Sequence, residues 1–148
     1  MNEFELIQKY FNWPFADPDI ELGVGDDAAI FNLNPNCQIV TSTDTFLEGV
    51  HFFKDHLPED IAYKSLAVNL SDIAAMGATA KYFTLALTLP NLDEIWLQQF
   101  SKSLRKVSKE YNVTLIGGDT TQGPLSITIT IMGVVKKTYA IKRSGAQV

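Results

Sequence analysis

The chain has 148 residues, 46% of them hydrophobic, one cysteine and a formal net charge of −5. That length suits one ordinary domain with a real core, and the acidic balance argues against nucleic-acid binding through a broad basic surface. The lone Cys37 excludes an intrachain disulfide and a cysteine zinc cage, no apolar run approaches the ~20 residues of a membrane span, and Glu3 and Glu5 stand where a signal peptide is basic. The expectation is a cytoplasmic protein with no nucleic-acid or membrane partner.

Phe4, Ile7 and Phe11 recur at helical spacing, which predicts a short amphipathic helix over residues 2–11, ended by Trp13-Pro14. Gly23-Val24-Gly25-Asp26-Asp27 then leads into a strand beginning at Ala28. Adjacent carboxylates on extended backbone point to opposite faces, so at most one of Asp26 and Asp27 can face a given site. A solvated turn is the plainer reading. Asn34-Pro35-Asn36 is a turn, and Cys37–Thr45 predicts a second strand, hairpinned to the first. Its Ser42-Thr43-Asp44-Thr45 run offers only oxygen donors, which suit a hard cation such as magnesium. The same residues also fit an exposed strand. His51 follows after Glu48-Gly49, a lone histidine that an exposed or structural role explains as well as chemistry.

Residues 58–76 predict a helix. Pro58, Glu59 and Asp60 suit its first turn, Ala62, Leu66, Leu70 and Ile73 form its apolar face, and Gly77 is its stop. Ser65, Asn69 and Asp72 fall on one stripe bordering that face. A carboxylate there is costly to bury unless a cation or donor meets it. Tyr82–Leu89 alternates as a strand. Over residues 93–111 Trp96, Phe100, Leu104, Val107 and Tyr111 share one face, Asp93 and Glu94 open the helix, and Lys102, Arg105, Lys106 and Lys109 crowd its end. This pattern predicts a packing helix.

Leu115-Ile116-Gly117-Gly118-Asp119-Thr120-Thr121 places a carboxylate on a glycine turn at a strand end. Such a turn is either a plain turn or a metal or phosphate site. Leu125–Ile131 alternates without error, and the strand is expected to reach Val135. Arg143, near the end, suits a phosphate clamp as well as plain solvation. Helix, hairpin, helix, strand, helix, strand, strand makes an α+β plan: one mixed or antiparallel sheet with helices on one face. The helix-free face, rich in threonine and aliphatic residues, calls for a partner, either a second copy or another domain.

Four stretches carry a family resemblance. They are Gly-Val-Gly-Asp-Asp-Ala-Ala (23–29), Ser-Thr-Asp-Thr-Phe-Leu-Glu-Gly-Val-His-Phe (42–52), Ala-Val-Asn-Leu-Ser-Asp-Ile-Ala-Ala-Met-Gly-Ala (67–78) and Leu-Ile-Gly-Gly-Asp-Thr-Thr (115–121). In this order and spacing they closely resemble the thiamine-monophosphate kinase family, of the aminoimidazole-ribonucleotide-synthetase-like superfamily. The resemblance runs from about Phe4 to Gly145. It implies ATP-dependent phosphorylation of thiamine monophosphate to thiamine diphosphate, with Mg2+ and ATP required. By motif match, Asp27, Ser42, Thr43, Asp44, Asp72 and Asp119 look like magnesium ligands. Gly118, Asp119 and Arg143 look like ATP-phosphate contacts, and His51 like a substrate contact. Family members are homodimers about twice this length, so residues 1–148 are expected to be the N-terminal ATP-, magnesium- and dimer-forming domain, with a C-terminal domain lying beyond. Two alternatives stand: a non-catalytic magnesium- and nucleotide-binding dimerisation module, or another superfamily member such as selenophosphate synthetase. The catalytic cysteine and lysine usual near the N-terminus of the latter do not stand there.

Overall fold

The structure is a computed structural model and describes residues 1–147. Its elements are α1 (Glu3–Tyr10), β1 (Ile20–Leu22), β2 (Ile30–Phe31), β3 (Cys37–Leu47), α2 (Pro58–Ala75), β4 (Thr79–Leu89), α3 (Glu94–Glu110), β5 (Thr114–Gln122), β6 (Ser126–Lys136) and a one-turn 3-10 helix, Arg143–Gly145. The helix starts follow local chemistry. Asn2 accepts from the Glu5 amide at 2.9 Å while Glu5 accepts from the Asn2 amide at 3.0 Å, a capping box. Asp93 Oδ1 accepts from the amides of Ile95 and Trp96, both at 3.0 Å. α2 starts on Pro58 with no side-chain cap. Lys9 Nζ donates to Glu94 Oε2 at 2.7 Å and ties α1 to α3. That hydrogen bond raises the Lys9 pKa and lowers that of Glu94.

The main sheet has the order β3-β6-β4-β5. β6 pairs antiparallel with both neighbours, while β4 and β5 run parallel, joined through α3. Ile127, Ile129 and Ile131 of β6 are fully buried against α2 and α3, along with Phe83, Leu87, Leu97, Phe100 and Leu104. The α+β plan with helices on one face is therefore observed.

The expected hairpin between residues 28–33 and β3 does not form. β2 is only two residues long and pairs with β1. β3 instead pairs with β6 over its full length, from Cys37↔Lys136 to Leu47↔Ser126. The reason lies on the helix-free face. There Ile20, Tyr82 and Ile116 form a second small core with Ala29, Phe31, Leu33 and Met132 against it. The Phe31 ring lies 4.7 Å from that of Tyr82. Folding β1 and β2 over the sheet buries these groups, which an edge hairpin with β3 would leave in water. A bulge between Ala80 and Tyr82 re-aims β4 there. The rest of that face stays open and is threonine-rich.

Candidate functional site

The Gly-Gly-Asp turn does not end β5; it lies within it. Gly118 pairs with Leu85 and Asp119 with Ala86. Gly118 has φ +153°, and a Cβ there would overlap the Leu85 carbonyl oxygen. Only glycine lets the two main chains approach this closely. Gly117 is different, since a Cβ there would meet nothing within 4 Å.

Beside this strand lies a cavity of about 310 Å³, lined by Phe4 and Gln8 of α1 and Phe11 just after it, by Gly25, Asp26 and Asp27, and by Gly117 to Thr120. Asp27 and Asp119 thus share one cavity. Asp26 lines it as well, which corrects the expectation that only one of the pair could. The backbone at 26–27 is not extended: Gly25 has φ +122° and Asp26 Oδ1 accepts from the Asp27 amide at 2.8 Å, a local turn. The aromatic and amide groups of α1 are lining residues that sequence reasoning missed. The helix periodicity gave only packing, and no signal placed it beside β5.

The other acids lie at the opposite edge. Ser42 Oγ donates to Asp72 Oδ2 at 2.8 Å, joining β3 to α2. Asp44 pairs with the buried Ile129 and so shares that strand face. Thr43 points to the other face, where its hydroxyl lies 2.8 Å from that of Thr130. The stripe expected on α2 divides: Ser65 and Asn69 are buried, Asp72 is exposed. Asn69 Nδ2 donates to the Ser65 carbonyl at 2.9 Å, while its Oδ1 is buried without a partner. His51 is exposed, and its Nδ1 accepts from the Leu47 amide at 3.1 Å. Arg143 sits on the exposed 3-10 turn and does not line the Asp27–Asp119 cavity.

The register fixes the separation. Asp44, Ile129, Leu85 and Gly118 form one row across four strands, so the two edges are roughly 14 Å apart at the usual strand spacing. Among the described residues no three His, Cys, Asp or Glu side chains gather closely enough to hold one metal ion. Asp27 and Asp119 line one cavity, while Asp72 is joined to β3 through Ser42, two residues from Asp44. Among the described residues no helix is long and apolar enough to cross a membrane.

This α+β sheet with acids at both edges and a main-chain glycine contact has relatives. The family described as AIR synthase related protein, N-terminal domain, matches residues 25–135, and the chain belongs to it. A thiamine-monophosphate kinase from Haemophilus influenzae is 52% identical over 149 residues, covering 100% of this chain and 45% of the relative. A crystal structure of thiamine-monophosphate kinase from Stenotrophomonas maltophilia K279a is 46% identical with a TM-score of 0.83, over 88% of this chain and 42% of that one. A structure of AaThiL complexed with AMPPCP and TMP is 25% identical with a TM-score of 0.73, over 79% and 38% of the two chains. The chain thus spans about half the length of the relatives it matches.

Proposed function

We propose that this chain is the nucleotide- and metal-binding half of a kinase that transfers a phosphoryl group from ATP to thiamine monophosphate, giving thiamine diphosphate. The observation that carries the reading is the shared cavity of Asp27 and Asp119 beside the glycine contact of β5. The 52% identity to a thiamine-monophosphate kinase supports the substrate, and the AaThiL complex with AMPPCP and TMP supports the pairing of a nucleotide with thiamine monophosphate.

The donor set fits magnesium: carboxylate and hydroxyl oxygens alone, at partly open positions. Asp27 and Asp119 would hold it at one edge, and Asp44, Asp72 and Ser42 at the other, with the Thr43 hydroxyl turned to the opposite face of the sheet. Magnesium, when bound, supplies the positive charge that lets two phosphates approach, where each like-charge pair near 4 Å otherwise costs on the order of 4 kcal/mol at an effective dielectric of ~20. A ligand held by both edges must be elongated and multiply charged, and a triphosphate is both. The acceptor is a phosphate oxygen already largely ionised at neutral pH, since a second phosphate pKa is about 6. The chain therefore needs no strong general base, and its part is to bind and align. His51 stands ready as the substrate contact and Arg143 as a phosphate contact. The open threonine face supports a homodimer packed through the sheets.

The test is a coupled ADP assay on the protein together with its C-terminal half. Asp44→Asn and Asp119→Asn should each lower kcat by at least about a hundredfold, as loss of a charge-stabilising group does. Near-normal turnover in either would remove the assigned roles. A second reading, binding without transfer, is favoured for residues 1–148 alone by the wide separation of the two acid groups. Calorimetry with magnesium and AMPPCP on this chain separates the two.

A further inference from the structure

A second cavity, of about 450 Å³, lies at the other end of β5, between the 13–18 loop, β4 and the end of α3. Lys81, Arg105 and Lys109 line it, together with Trp13, Phe15 and a single acid, Asp17. Three cations thus converge on one hollow in a chain whose net charge is −5. None of them forms an ion pair among the described residues, where the only ion pairs are Lys9–Glu94 and the N-terminus with Glu5. Asp17 is already engaged, accepting from the Tyr82 hydroxyl at 3.3 Å and the Asp19 amide at 2.9 Å. Arg105 Nε is buried with no hydrogen-bond partner. Arg105 as a whole is only half-buried and lines the cavity, where an anion gains charge-assisted hydrogen bonds.

Helix chemistry explains part of this cluster and not the rest. A cation near the end of α3 suits the macrodipole, which accounts for the exposed Lys109. It does not account for Lys81, which comes from the bulge in β4. Nor does it account for Arg105, whose Nε is shut away from water. The last α3 carbonyls are also occupied: Val107 and Ser108 accept from the amides of Tyr111 and Val113 at 3.0 and 2.9 Å.

We propose that this hollow is a second ligand site, separate from the Asp27–Asp119 cavity, for a small phosphorylated molecule bearing a flat ring. Arg105, Lys81 and Lys109 take the phosphate without a metal, and the Trp13 and Phe15 rings supply the apolar wall for the ring. The metal-free recognition is what distinguishes it from the acidic cavity, where a phosphate without cations is repelled.

The experiment titrates the chain with 5′-AMP, and separately with inorganic phosphate, in buffer containing a chelator. Binding is followed by the fluorescence of the two tryptophans, Trp13 and Trp96, of which only Trp13 lines the hollow, and by amide shifts. Saturable AMP binding is expected, weaker at high salt, with shifts at residues 13–18 and 108–114. AMP should bind more tightly than phosphate. Lys81→Gln with Lys109→Gln, both at positions with solvent access, should weaken AMP at least about tenfold, as should Arg105→Gln with an unchanged circular dichroism spectrum. No saturable binding up to millimolar AMP overturns the proposal, as does equal affinity in the double variant or shifts confined to Gly117–Thr120. Phosphate binding as tightly as AMP overturns the ring contact.

Discussion

The two faces of one sheet are built from the same strands and do different work. On β6, Ile127, Ile129 and Ile131 are fully buried beneath the helices, while Thr128 and Thr130 between them point to the other side. There the hydroxyls of Thr45 and Thr128 lie 2.9 Å apart, and those of Thr43 and Thr130 2.8 Å. The helix face is held by apolar burial, which scales with area. The open face is held to itself by modest hydroxyl pairs. Stability is concentrated on the helix side, and the part of the other face outside the small Ile20–Tyr82–Ile116 core is left open.

The largest test of that contrast is Ile129→Ala, expected to cost about 2–5 kcal/mol of unfolding free energy through lost burial and a cavity, read from urea denaturation. Next is Gly118→Ala, where the added Cβ must push β5 away from Leu85 and the φ of +153° disfavours a side chain; about 3 kcal/mol is expected. Gly117→Ala, with open space at its Cβ, should stay within about 0.5 kcal/mol. Equal effects would show that the close approach at 118 is not what glycine is there for.

Tyr82 tests the small core under the β1–β2 ribbon. Burial first, and then the charge of Asp17, pushes its hydroxyl up to about 12. An unfolded tyrosine loses its proton near pH ~10. Below that pH both states hold the proton and the contribution is complete; as pH rises towards 12 the unfolded chain releases it first, and stability falls. Tyr82→Phe should flatten the fall across this window in pH-dependent melts. A small effect is also expected of Thr130→Val, which should change monomer stability by less than about 1 kcal/mol. If the open face is a dimer surface, the same substitution alters the association constant in sedimentation while Ile129→Ala acts chiefly on unfolding.

Long periodic segments were legible from the sequence. α3 runs Glu94–Glu110 against an expected 93–111, and β6 alternates as its Ile and Thr residues demand. The short pieces were not. Residues 28–33 carry a strand-like run, yet the partner was decided by Tyr82 and Ile116, far away in sequence. The acids were legible as candidates because each stands beside glycine or hydroxyl residues. Their division into two edge groups was not, because it follows from the β3-β6-β4-β5 order. Tyr111, expected on the buried face of α3, is 47% exposed, since the helix ends before it.

The order of the strands also sets which half of the acids is most easily lost for a moment. β3 touches the sheet only through β6, and that pairing joins Cys37 to Lys136 across most of the chain. Such distant closure is entropically slow to form, and an edge strand is a natural place for transient opening. β5 is also an edge, yet only α3 separates it from β4 along the chain, so its closure spans a much shorter loop. When β3 lifts away, Ser42 leaves Asp72 and Asp44 goes with it, while Gly118 and Asp119 keep their places against Leu85 and Ala86. Occupancy of the β3 side by a cation or phosphate would then act as a clasp, slowing amide hydrogen exchange along Cys37–Leu47 far more than along Thr114–Gln122.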